Sequence, residues 1–111
     1  MATLIPSRLA FFGRSVPGHT IEARWIVGHP MESGLRTDDD GKRIARNMIT
    51  LVRVFVAGKA VLELEPGIGM AANPYLAFPV TVPAEGGFVR VEWVDDKGAQ
   101  GSAQQLLLLE K

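Results

Sequence analysis

The chain contains no cysteine. Disulfides, thiolate metal sites and a cysteine nucleophile are therefore excluded. An excess of either charge is also missing: Lys and Arg number 12, Asp and Glu number 12, and the formal net charge is zero. A nucleic-acid binder needs a basic surplus to meet phosphates, so that class is set aside. No apolar run approaches the roughly 18 residues of a membrane span. The opening segment, "MATLIPSRLAFFGRSVPGHT", has no basic stretch followed by an uninterrupted apolar one. It predicts no secretory signal and, taken alone, a cytoplasmic protein. Histidine is scarce as well. His19 and His29 are the only two, and they are not spaced as a paired metal site.

What is present suits one compact domain over residues 1–111. Hydrophobic residues make up 47% of the chain, with 12 Gly and 7 Pro to supply turns. In "TIEARWIV", Ile21, Ala23, Trp25 and Val27 alternate with Glu22 and Arg24, the pattern of a half-buried strand. "NMITLVRVFVAG" carries Met48, Thr50, Val52, Val54 and Val56 on one face. Ile49, Leu51 and Phe55 make the other face apolar too, which predicts a central strand. Gly58 turns it back into "AVLELE" as a hairpin. "YLAFPVTV" reads as another strand, in which Pro79 points to an edge position or a bulge. "FVRVEWV" points Val89, Val91 and Trp93 inward, "DDKG" is a tight turn, and "QGSAQQLLLLE" closes the domain. With "SRLAFF" at the start, about seven short strands and no helical period predict an immunoglobulin-like β-sandwich, all-β and without a disulfide.

The stretch "HPMESGLRTDDDGKRIAR", residues 29–46, fits that scheme least. It carries acidic and basic residues in equal number, so it is no phosphate trap. Loops longer than about 12–15 residues are uncommon in compact domains and are usually functional or disordered. "DDDGK" lacks the spaced carboxylates and the distant bidentate Glu of a calcium loop, and reads as a turn. "MESG" is not a nucleophile elbow, which disfavours a hydrolase built on Ser33 and His29. Trp25 and Trp93 read as core, Met31, Met48 and Met70 as core filling or an adaptable contact surface in preference to soft-metal ligands, and "ANPY" as a turn with a rigid exit at Pro74.

Three stretches, "GHPMESGLRTDDDGKRI", "GIGMAANPY" and "EWVDDKG", together resemble the SoxZ family of the bacterial sulfur-oxidation system. The likeness runs from about Gly18 to the end of the chain, with the motifs in the family's order. It departs at Ala45, where the family often has proline, and residues 1–17 carry none of its motifs. The resemblance implies a non-catalytic, immunoglobulin-like subunit with no cofactor and no metal. Its partner would be SoxY, which carries sulfur intermediates of thiosulfate oxidation on a cysteine in a flexible C-terminal arm. Other Sox enzymes would make transient contacts. It also implies periplasmic localisation by co-export with the partner, in place of the cytoplasm. On this reading the partner-binding candidates are His29, Met31, Glu32, Arg36, Asn73 and Tyr75, with Met31 and Tyr75 as apolar contacts beside the charges. The alternatives are a binding module of a related carrier or an adhesion domain, and, more remotely, a hydrolase or metalloprotein using His29 and Glu32.

Overall fold

The computed structural model describes residues 7–66 and 74–110. Among these there is no helix, and seven strands form two sheets: β1 (Ser7–Phe12), β2 (Thr20–Val27), β3 (Ile49–Val56), β4 (Lys59–Leu64), β5 (Tyr75–Thr81), β6 (Gly87–Asp95) and β7 (Gln100–Leu107). One sheet has the order β1-β2-β5, the other β4-β3-β6-β7, and every pairing is antiparallel. This is the immunoglobulin-like sandwich that the strand pattern predicts. β3 lies between β4 and β6, and β5 is an edge strand that accommodates Pro79.

The core follows from side-chain alternation. Ile21, Ala23, Trp25 and Val27 of β2 face Val89, Val91 and Trp93 of β6, all of them buried. Burial of large apolar side chains at about 25 cal/mol per Å² is the main force holding the two sheets together. β3 departs from simple alternation. Its pairing with β6 shifts register between Ile49 and Leu51, so Ile49 is buried like Met48 instead of pointing outward. The expected hairpin turn is formed by Ala57 (φ 50°) and Gly58 (φ 83°), both left-handed as a two-residue turn demands. The leucines near the C-terminus divide: Leu107 is buried and Leu109 packs against the core, while Leu106 and Leu108 are exposed.

Candidate functional site

The 29–46 stretch is an irregular hairpin arm. At its base, Glu32 and Asn47 exchange backbone hydrogen bonds of 2.7 and 2.8 Å. Farther out, the Ile44 N–H donates to the Arg36 carbonyl at 2.9 Å and the Asp38 N–H to the Lys42 carbonyl at 2.8 Å. The tip is an aspartate-capped turn. Oδ1 of Asp38 accepts from the N–H groups of Asp40 and Lys42, each at 2.9 Å, and Gly41 supplies a positive φ of 79°. The side chains have the charge of a solvated loop, but the backbone is paired like a ribbon.

Both strands of the arm stand on one turn, residues 95–99. His29 and Asp95 continue the inward-facing alternation of β2 and β6 by one step, and so enter the core. The His29 Nε2 lies 3.0 Å from the Asp95 Oδ2, and its Nδ1 accepts the Met31 N–H at 3.0 Å. That second bond fixes the tautomer: Nε2 carries the proton and donates to Asp95. The imidazole also meets Trp93 edge-on, with ring centroids 5.9 Å apart. The other oxygen of Asp95 accepts from the Lys97 and Ala99 N–H groups at 3.0 and 2.8 Å. On the returning strand, Asp96 accepts the Met48 N–H at 3.1 Å and pairs with Arg46 at 2.8 Å.

Pro74 and Tyr75, at the start of β5, lie at the same end of the sandwich. The Val27 N–H donates to the Pro74 carbonyl at 3.1 Å, and Tyr75 lies opposite Ile26. Among the described residues, the first and third stretches singled out in the sequence therefore meet through His29 and Asp95, and Pro74, from the end of the second, lies beside them through Val27.

The six candidate residues occupy different environments. His29 is fully buried. Met31 is 7% exposed, sits at a φ of 50°, and its sulfur accepts the Ile49 N–H at 3.3 Å. Both are interior residues that hold the arm, and the fold does not offer Met31 as a surface contact. Glu32 and Arg36 form a two-pronged ion pair on the arm, with one bond of 3.0 Å from Arg36 Nε to Glu32 Oε2 and a second from Nη2 to Oε1. The bond to Arg36 holds the Glu32 carboxyl below the ordinary carboxylate range and raises the Arg36 guanidinium. Tyr75 is 52% exposed. Asn73 lies outside the described residues. Ser33 uses its hydroxyl locally, accepting the Leu35 N–H at 3.2 Å.

Chemically, this end offers an ordered, charged arm on a buried polar hinge. Neither ring nitrogen of His29 is free to act on a substrate. A family model, "Sulphur oxidation protein SoxZ", matches residues 12–105. The chain belongs to the SoxZ family. Its role accordingly lies in the sulfur-oxidation system, and the match runs from the end of β1 into β7, taking in all three motif stretches. No curated protein matches the chain significantly. Among the anchoring residues of this SoxZ-family chain, the sequence reading missed Asp95, Asp96 and Arg46. Alternation carried one step past Trp93 is the signal that finds Asp95.

Proposed function

We propose that this SoxZ-family chain is the non-catalytic subunit of a sulfur carrier complex, paired with a SoxY-like chain whose cysteine bears the sulfur intermediates of thiosulfate oxidation. Family membership, together with the absence of cysteine, is the observation that carries the reading. A chain without a thiol has no covalent hold on a persulfide or thiosulfonate, so its contribution is to hold and present the partner that has one. The absence also protects the complex, since a stray thiolate would exchange with sulfur bound on the carrier. The arm supplies the presenting surface. Its mixed charges suit encounters that form and release, because charge complementarity governs orientation and on-rate more than lasting affinity. Periplasmic localisation by co-export with the partner completes the proposal.

The test is co-expression with a SoxY-like chain, followed by size-exclusion chromatography. The expected result is a stable heterodimer burying more than roughly 1,000 Å² in total. Separate elution at micromolar concentration would refute the pairing. After incubation with thiosulfate and the other pathway components, intact-mass spectrometry should find the sulfur adduct on the partner only.

A further inference from the structure

Both outward sheet faces expose apolar side chains, Phe88 and Leu106 on one and Phe12, Ile26 and Tyr75 on the other, and they differ in charge balance. On the β4-β3-β6-β7 sheet, Arg53 pairs with Glu63 at 3.3 Å and Arg90 with Glu92 at 2.7 Å, so the charges are matched in place. The β1-β2-β5 face is built otherwise. Its register sets three rows across the strands: Arg8, Ile26 and Tyr75; Ala10, Arg24 and Ala77; Phe12, Glu22 and Pro79. Phe12, Ile26 and Tyr75 are 46%, 49% and 52% exposed, and they wall a shallow cleft of about 500 Å³ over the small side chain of Ala10. The Arg24 guanidinium carbon lies over the Phe12 ring, 3.8 Å from its centroid, and the group is tethered to Glu22 at 3.1 Å. Stacking of this kind fixes an arginine before any partner arrives. Arg8 has no ion pair among the described residues. The face thus carries two guanidinium groups against the single carboxylate of Glu22. Preset aromatic, aliphatic and arginine side chains around a pocket are the composition of an interface centre.

We infer that the outer face of the β1-β2-β5 sheet is the docking surface for the body of the SoxY-like partner, which meets it with an apolar patch rimmed by carboxylates. The inference rests on the pairing proposed above. An aliphatic or aromatic partner side chain enters between Phe12, Ile26 and Tyr75, and a partner carboxylate takes the open fork of Arg8. A second copy of this chain is a poor occupant. Two-fold packing of this face on itself would set arginines against arginines, with Glu22 already committed to Arg24. The cleft also runs to Gly28 and Tyr75, where the arm begins, so a partner seated here has the arm beside it.

Binding of the SoxY-like chain, measured by calorimetry for wild type and surface variants at two salt concentrations, tests the assignment. Ile26→Asp should weaken binding about 30-fold or more, the effect of a central interface residue. Arg8→Glu should weaken it less, with a loss that shrinks as salt rises. Phe88→Asp, on the opposite face, should bind as wild type, and all three should keep the wild-type melting temperature. If wild type binds while Ile26→Asp and Phe12→Asp bind equally well, the docking surface is refuted and the pairing stands. If wild type itself fails to bind, the pairing falls and the inference with it. Self-association of the chain alone that Ile26→Asp abolishes would assign the face to a second copy and overturn the proposal.

Discussion

The Nε2 of His29 and the Oδ2 of Asp95 lie 3.0 Å apart in the core, joining the end of β2 in one sheet to the end of β6 in the other. A buried polar pair contributes net stability only when its remaining donors and acceptors are also satisfied. Here they are, by the N–H groups of Met31, Lys97 and Ala99.

Asp95→Asn tests the proton arrangement directly. The substitution keeps the shape, and the amide oxygen is retained by the turn N–H groups. Its NH₂ then faces the Nε2 proton of His29. Moving that proton to Nδ1 only transfers the conflict to the Met31 N–H. A loss of about 1–3 kcal/mol follows from one unsatisfied buried donor, measurable by urea denaturation. His29→Ala should cost about 2–4 kcal/mol, since it also opens a cavity beside Trp93. Wild-type stability in Asp95→Asn would overturn the assigned tautomer.

Gly101, paired with Trp93 across β6 and β7, lies against its indole. A methyl group added there would sit 2.9 Å from Cζ2 of the indole, and neither the buried ring nor its strand neighbours can give way cheaply. Gly101→Ala should lower stability by about 1–3 kcal/mol through overpacking. Gly18→Ala has open space around the new methyl but a φ of 86°, so its smaller cost would come from backbone strain alone. Thermal melts of the two variants separate the causes.

Acid should loosen the arm before the sandwich. Glu32 has its folded value depressed by Arg36, so its contribution is fully present above the ordinary value of 4.5 and is lost as pH falls through the depressed one. Amide protection around Glu32, Arg36 and Ile44, with the intrinsic pH dependence of exchange divided out, should therefore fall at a pH below 4.5. Exchange in β3 and β6 should stay slow there. In Glu32→Gln the arm's exchange should lose this pH step.

If the arm guides encounters, alanine at both Glu32 and Arg36 should leave the melting temperature and pairing nearly unchanged. Turnover of the reconstituted sulfur-oxidation pathway should nevertheless fall, with the wild-type advantage shrinking as ionic strength rises. Equal rates at every salt concentration would remove the arm from the encounter.

Much of the sandwich is legible in the sequence because burial on one face writes itself as alternation. Ile21 to Val27 and Val89 to Trp93 give two facing strands, and Pro79 marks an edge. The arm is not legible in this way. Its pairing is made by backbone groups at Glu32, Arg36, Ile44 and Asn47, while its side chains are polar on every side and carry no period. The β3 bulge is hidden for a related reason: Met48 and Ile49 are both apolar, and composition cannot tell which of two adjacent apolar residues turns inward. His29 and Asp95 lay within reach. Their strands' alternation extends to them, but polar residues at inward positions are taken for the ends of strands. Met31 was legible as apolar, yet the left-handed turn that carries it inward is set by His29 and not by its own type.

Because both strands of the arm are fastened to a single turn, by Asp95 through His29 and by Asp96 through Met48 and Arg46, the distance between its two feet does not depend on the residues beyond them. Lengthening a loop whose ends are already held apart at a fixed span costs little, about 0.6 kcal/mol for each doubling. The tip around Asp39 and Asp40 is therefore a place where length and charge can drift without disturbing the sandwich. A reporter peptide or a fluorescent label placed there should leave the fold as it is. It would turn the arm into a probe of whatever approaches this end of the molecule.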